Sequence, residues 1–109
     1  MNKAVEGLVS QVLACQKACQ ICFDACLKED HVAMMAECIR TDRECADICG
    51  LVVDFAYRES NLFPALVAVC ARACEVCATE CEQHDHDHCQ QCAKACRECE
   101  AACKAFLAA

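Results

Sequence analysis

Sixteen of the 109 residues are cysteine, and most of them follow one another at steps of three or four residues. Steps of this size place side chains along one stripe of an α-helix. In a helical bundle this stripe is the core seam, which Leu and Ile normally fill. A seam lined with thiols can bind soft metal ions, because such ions prefer sulfur ligands. The cysteines are Cys15, Cys19, Cys22, Cys26, Cys38, Cys45, Cys49, Cys70, Cys74, Cys77, Cys81, Cys89, Cys92, Cys96, Cys99 and Cys103.

The spacing and the charge of these thiols favour Cu(I). A cysteine and the one four residues later can bridge one small ion, and Cu(I) is soft enough to accept two thiolates. Zinc prefers four ligands in a tetrahedron, which facing helices would have to supply together. One Cu(I) per thiolate leaves a neutral core, whereas zinc with four thiolates leaves a charge of about −2. The sequence therefore predicts multiple Cu(I) ions, about one per cysteine and roughly 16 in all.

Four predicted helices carry the cysteine stripes. One Pro and two Gly are very few, and the abundant Ala, Glu, Gln, Lys and Arg favour helix. Short connections imply antiparallel neighbours, so we expect an all-α fold, an antiparallel up-down-up-down four-helix bundle with a cysteine-lined core. Residues 1–109 are expected to form a single metal-binding domain. The predicted helices lie near 3–28, 32–57, 61–83 and 86–107, with Asp30 and either Ser60 or Asn61 as N-caps and Pro64 in a first turn.

The second half of the chain repeats the first. The cysteine spacing of the first predicted helix recurs in the third, and that of the second recurs in the fourth. Two positions break the repeat, since Asp42 corresponds to Cys96 and Met35 corresponds to Cys89. The pattern indicates duplicated helical hairpins. By register Asp42 points inward, where it can accept hydrogen bonds from thiols or pair with a basic side chain.

The antiparallel order predicts two different ends for the bundle. One end collects ordinary apolar residues: Val5, Leu8, Val12, Val52, Phe55, Ala56, Phe63, Val67 and Phe106. The other end collects soft-metal ligands and is where copper would enter, although a solvated acidic loop would explain its histidines equally well. Met34 is predicted to pack and Met35 to offer a thioether. The candidate outer ligands are His31, His84, His86, His88 and Met35.

Charge and composition exclude several kinds of partner. The net charge of −7 and the lack of any Lys or Arg block predict no nucleic-acid partner. No apolar run approaches the roughly 20 residues that span a bilayer, so no membrane partner is expected. The N-terminus lacks the pattern of a signal peptide, which predicts the reducing cytoplasm as the compartment. No cysteine is singled out by a neighbouring base, so we expect no enzyme.

These stripes resemble the cytosolic bacterial copper storage proteins, whose four helices are lined with cysteines. The resemblance covers essentially the whole chain and rests on the repeated Cys-x-x-x-Cys of the predicted helices. It implies storage of many Cu(I) ions inside each bundle and passage of copper past histidines at one open end. It also implies a homo-oligomer, a tetramer of bundles.

Other interpretations remain open at the level of sequence. A thiol-based redox or metal sensor would need exposed cysteines of low pKa and would bind only one or two ions. A zinc-sequestering bundle would need sulfurs from facing helices. The spacing Cys-x-x-x-Cys-x-x-Cys also occurs in iron–sulfur enzymes, which present it from a loop. Small core filler and a disulfide scaffold are weaker, since cysteines four apart on one helix cannot pair without distorting it.

Overall fold

The computed structural model describes residues 1–109 and confirms the predicted fold class. Four antiparallel helices form an elongated bundle of 44 × 20 × 18 Å. Each helix packs against its two neighbours in the ring α1, α2, α3, α4, so that diagonal helices face each other across the core. The helices are α1 Lys3–Leu27, α2 Ala36–Tyr57, α3 Phe63–Cys81 and α4 Asp87–Ala108, with a short 3₁₀ helix Val32–Met35 before α2.

The predicted N-caps were wrong for the second and third helices. No side chain caps the 3₁₀ helix or α2, and α2 begins at Ala36 because the 3₁₀ turn intervenes after Asp30. The N-cap position of α3 is Leu62, which has no side-chain cap. Ser60 lies two residues before Leu62 and supports the turn instead: its Oγ accepts a hydrogen bond from the backbone N–H of Leu62 at 3.0 Å. Pro64 does lie at the start of α3, where a missing N–H costs little.

The connection from α2 to α3 contains the one residue with positive φ, Glu59 at 50°. The backbone N–H of Ser60 donates to the carbonyl of Phe55 at 3.1 Å, and that of Glu59 donates to the carbonyl of Ala56. This is the Schellman arrangement, which usually places glycine at the position of Glu59. The turn closes the apolar end of the bundle.

The apolar end is packed as the sequence predicts. Leu8, Val12 and Val52 are buried, together with Ala56, Phe63 and Val67 from the next turns. Val5, Phe55 and Phe106 are partly buried against the same core. The rings of Phe63 and Phe106 meet edge to face, with centroids 5.6 Å apart. This end of the bundle is therefore ordinary hydrophobic core, which seals one side of the thiol-lined region.

Candidate metal centre

All sixteen cysteines line the bundle axis with no solvent-exposed surface, and none forms a disulfide. Facing sulfurs come from all four helices and lie 3.6–4.0 Å apart, as for Cys38 and Cys81 at 3.6 Å or Cys15 and Cys74 at 3.7 Å. A disulfide needs about 2.0 Å, so these are contacts between separate thiols. The helical stripes thus combine into one continuous sulfur lining.

The sulfur lining contains sets of four ligands that could surround one ion. In each set the ligand atoms all lie within 4.8 Å of one another. The members of each of these sets come from three or four helices, so the sets exist only in the assembled bundle. Four of the sets consist of cysteine alone: Cys15, Cys49, Cys74 and Cys99; Cys15, Cys19, Cys45 and Cys96; Cys19, Cys77, Cys92 and Cys96; and Cys22, Cys26, Cys38 and Cys89.

Asp42 lies inside the sulfur lining and is fully buried, as its register predicts. Its Oδ1 accepts hydrogen bonds from Cys77 at 3.3 Å, from Cys92 at 3.4 Å and from Cys81 at 3.5 Å. Its Oδ2 lies 3.9 Å from the sulfur of Cys38. Burial, and then the nearby Cys92 thiol, raise the pKa of Asp42 to about 12. Of the two sequence-based alternatives for Asp42, the structure therefore supports hydrogen bonding to thiols, with the carboxyl group in its protonated form.

His88 contacts the sulfur lining at the histidine end, which comprises residues 28–35 and 82–88. Its Nδ1 lies 3.5 Å from the sulfurs of Cys22 and Cys89 and 3.8 Å from that of Cys26. Its Nε2 lies 2.8 Å from the carboxylate of Glu29, which fixes the orientation of the ring. Burial lowers the pKa of His88, but hydrogen bonds with Cys22 and Glu29 outweigh it, so the pKa is raised overall.

The other candidate outer ligands lie around a cavity of about 320 Å³ at the same end. His86 stacks on His88, with ring centroids 5.3 Å apart, and lies 3.5 Å from Glu29. His84 is held by Glu80 at 2.7 Å. None of His31, His84 and His86 forms a hydrogen bond with a cysteine, so His88 is the only histidine in contact with the sulfurs. The cavity is lined by Glu29, Asp30, His31, Met34, Met35, His84 and His86.

The two methionines differ in a way that corrects one prediction. Met35 is 3% exposed, whereas Met34 is 76% exposed. The prediction that Met34 packs into the core was therefore wrong. In the 3₁₀ turn the two neighbouring side chains point in different directions, and only Met35 turns inward.

Glu29 is the functional residue that sequence reasoning missed. It orients His88 and contacts His86, yet it follows α1 whereas both histidines follow α3, far along the chain. The hydrogen bond with His88 lowers the pKa of Glu29, so that it stays a carboxylate. Its position in the connection facing the histidines is the only signal the sequence offers, and an acidic connection residue is too common to single it out.

The pKa values of the thiols near His88 are shifted in different directions. Desolvation raises the pKa of Cys26 and of Cys89, which favours their neutral form. The pKa of Cys22 is lowered, first by hydrogen bonding with Cys38 and then with Cys81, with a smaller effect from His88. Of the three thiols beside His88, that of Cys22 is therefore the most readily deprotonated.

Comparison with known proteins gives consistent matches over nearly the whole chain. The family model described as copper storage protein matches residues 1–108. The cysteine-rich protein YhjQ of Bacillus subtilis is 46% identical over 90 residues, which is 83% of each chain. The Cu(I)-bound copper storage protein BsCsp3 is 45% identical, with a TM-score of 0.93 over 96% of this chain and 99% of its own. A cytosolic copper storage protein from Streptomyces lividans, with five coppers, is 41% identical, with a TM-score of 0.94 over 98% of this chain and 94% of its own.

Proposed function

Because the chain belongs to the copper storage protein family, we propose that it stores and buffers many Cu(I) ions inside the bundle, bound by its sixteen cysteines. The observation that carries this is the sulfur lining, in which every cysteine is buried within reach of others. Sulfur is the preferred ligand of Cu(I), and sixteen facing thiols exceed what packing of the core needs. The expected capacity is about one ion per cysteine, roughly 16 per chain.

Charge balance supports a monovalent cargo. Unloaded thiols are neutral, since burial favours the protonated form, and they behave as small apolar groups. Each Cu(I) that binds forms a sulfur–copper bond and releases one proton from a thiol, so the core stays neutral at every stage of loading. A divalent ion held by four thiolates would bury excess negative charge instead.

Copper would pass into the core at the histidine end. His88 presents Nδ1 to three sulfurs while Glu29 holds its other nitrogen, which is the usual support of a metal-binding imidazole. Because its pKa is lowered, Cys22 is the thiol beside His88 that gives up its proton most readily when copper arrives. Before it reaches His88, copper would meet the outer ligands around the cavity. These are Met35, His31, His84 and His86.

The remaining features of the proposal are those of a binding protein. The chain acts as a single domain, 1–109, to which we assign no catalytic step. The cytoplasm and a homotetramer are the compartment and assembly that the family resemblance favours, and the described relative from Streptomyces lividans is a cytosolic protein. None of the helices combines the length and apolar character needed to cross a membrane.

Zinc is the alternative cargo that a specific observation favours. Facing helices do supply sets of four sulfurs, such as Cys22, Cys26, Cys38 and Cys89, and four sulfurs suit tetrahedral zinc. The two cargoes differ in number, because sixteen thiols fill about four zinc sites but about sixteen copper sites. A redox sensor is less well supported, since it needs exposed cysteines and all of these are buried.

An anaerobic titration of the reduced protein with Cu(I), against a chromophoric Cu(I) chelator, tests the proposal. We expect the protein to withhold copper until about one ion per cysteine is bound. A parallel titration with Zn²⁺ should stop near four ions and be displaced by Cu(I). Saturation with one or two Cu(I) ions would exclude storage and favour the thiol-based redox or metal sensor instead.

A further inference from the structure

Two histidines and one glutamate converge at the outer edge of the histidine end. The Nε2 of His88 lies 2.8 Å from the Oε2 of Glu29, and the Nδ1 of His86 lies 3.5 Å from the same oxygen. The two imidazole rings are nearly parallel, with their planes 5° apart, and each directs one nitrogen at the carboxylate. Three atoms that can bind a metal ion are therefore gathered around one point.

The spacing of these atoms is close to that of a tetrahedral zinc site. Ligands with bonds of about 2.1 Å at tetrahedral angles stand about 3.4 Å apart. His86 and Glu29 already have this spacing at 3.5 Å. His88 and Glu29 share a hydrogen bond at 2.8 Å, which lengthens to about 3.4 Å when zinc takes the place of the proton. The three side chains thus need only a small adjustment to hold the ion.

The glutamate sets these ligands apart from those of the stored copper. A carboxylate oxygen is a hard ligand, which does not suit Cu(I) but is accepted by Zn²⁺ together with imidazole. Two histidines and one glutamate, with a fourth position open to water, form a recurrent ligand set for zinc. The chemistry of the set therefore selects a divalent ion rather than the cargo of the core.

The three ligands are open to solvent and lie in acidic surroundings. The side chains of His86 and Glu29 are 44% and 28% exposed, so an ion can reach them without movement of the helices. Asp30 lines the adjoining cavity and adds a second carboxylate. Lys28, the basic residue next to Glu29 in the chain, is paired with Asp24 at 2.8 Å. A negative potential of this kind concentrates divalent cations.

We propose that Glu29, His86 and His88 form a zinc site that closes the histidine end to copper. A neutral imidazole carries its proton on one nitrogen only, so the Nδ1 of His88 can accept Cu(I) while Nε2 holds the proton. Zinc at Nε2 moves that proton to Nδ1, which then donates to the sulfurs at 3.5 Å instead. The charge of the zinc ion also repels an approaching Cu(I).

Zinc binding is a ligand exchange without oxidation or reduction. Zinc forms bonds to the two imidazole nitrogens and to the oxygen of Glu29, and the hydrogen bond between His88 and Glu29 breaks. Each ring keeps one proton, on its other nitrogen, so both rings stay neutral. This inference rests on the proposed copper storage and adds to it control by a second metal. Because one path serves entry and exit, zinc slows both.

The first test counts the outer ion. The protein is fully loaded with Cu(I), which occupies the thiols, and is then titrated anaerobically with Co²⁺ as a spectroscopic substitute for zinc. We expect one Co²⁺ per chain, with visible cobalt bands but no charge-transfer bands from thiolate, and displacement by Zn²⁺. No binding, or strong thiolate bands, would contradict the site.

Four variants separate ligation from surface charge. Glu29→Gln keeps an oxygen that accepts a hydrogen bond but loses the charge, and His86→Ala removes one imidazole. Each should weaken zinc binding by more than about tenfold. Asp85→Asn removes the same charge from an exposed position beside the histidines, and His84→Ala removes an imidazole that Glu80 holds. Both controls should bind zinc as the unmodified protein does, and an equal weakening in all four would rule out a specific site.

The second test measures passage of copper. A Cu(I)-selective chelator removes copper from the loaded protein, and the rate is compared with and without one Zn²⁺ per chain. We expect zinc to slow removal about tenfold in the unmodified protein and in Asp85→Asn, and to have little effect in Glu29→Gln and His86→Ala. Each variant is its own reference, so its rate without zinc does not affect the comparison. Zinc binding without slower removal would refute the closure.

The copper capacity of each variant is measured first, which separates the two proposals. A normal capacity with the same effect of zinc on ligand variants and controls would overturn the zinc site and leave storage intact. A low capacity of the unmodified protein would instead contradict storage itself, and the control of copper passage with it.

Discussion

The Nε2 of His88 lies 2.8 Å from the Oε2 of Glu29, so the imidazole Nδ1 is aimed at the sulfurs of the core. A histidine supported in this way has a fixed tautomer and a more basic second nitrogen. Glu29 and His88 belong to different hairpins, and their contact joins the two halves of the duplicated chain at the histidine end.

His88→Ala should slow Cu(I) loading by about tenfold or more, because it removes the only imidazole in contact with the sulfurs. Replacing His31, His84, His86 and His88 together should slow it further and leave the capacity nearly unchanged, since the cysteines hold the cargo. Stopped-flow mixing of the reduced protein with Cu(I) measures the rate. His86→Ala is the matched control, and an equal effect there, or a large loss of capacity, would contradict this role of His88.

Asp42 should make the stability of the reduced, metal-free protein fall as the pH rises. Its pKa is raised to about 12 in the fold, against about 3.9 in an unfolded chain. The folded state therefore holds the proton, and the stability it contributes is full below about pH 4 and is lost progressively up to about pH 12. The expected loss is at most about 1.4 kcal/mol per pH unit.

Asp42→Asn should remove that part of the slope, which urea unfolding at about pH 5 and about pH 8 measures. The thiols also titrate, so the comparison is made with Asp54→Asn, an exposed carboxylate on the same helix. Equal slopes for the two variants would mean that Asp42 is ionised in the fold.

Phe63→Ala should lower the free energy of unfolding by about 3–5 kcal/mol, because it empties the apolar end and removes the edge-to-face contact with Phe106. Copper capacity should stay the same, since no cysteine contacts depend on this ring. Thermal unfolding followed by circular dichroism gives the stability. Tyr57→Ala, at an exposed aromatic nearby, should change it little.

Glu59→Gly should raise the free energy of unfolding by about 1 kcal/mol, because glycine adopts the positive φ of this turn without steric cost. Arg58→Gly, one residue earlier in the right-handed helical region, should lower it by about as much. Urea unfolding of both variants checks the opposite signs. A loss of stability in both would show that the side chain of Glu59 matters more than its backbone.

The cysteine stripes made the fold predictable, because thiols at steps of three or four residues mark the one face of each helix that is buried. The inward position of Asp42 followed from the same register. The starts of the helices did not follow, since Asp30 suits an N-cap by type but a 3₁₀ turn intervenes before α2. Local signals of this kind compete with tertiary packing, which decides where the chain turns.

The histidine end could be predicted only in part. Both histidines lie at the start of the fourth helix, where predicted bounds vary by one or two residues, so the sequence could not tell that His88 faces the sulfurs while His86 remains half exposed. The same uncertainty affected Met34 and Met35, which are neighbours with opposite burial. Glu29 acquires its importance solely from a contact between the two hairpins.

The distance between the sulfurs limits how an ion can be shared. Two sulfurs on opposite sides of one ion stand about 4.6 Å apart, twice a metal–sulfur bond of about 2.3 Å. Cys22 and Cys26 lie at 3.7 Å and Cys92 and Cys96 at 4.0 Å, which is close to the spacing of about 4.0 Å that three sulfurs around one ion require. Three-coordinate ions can therefore be accommodated with little movement of the helices, whereas a linear ion needs its two sulfurs further apart, which requires the cysteine side chains to rotate about χ1.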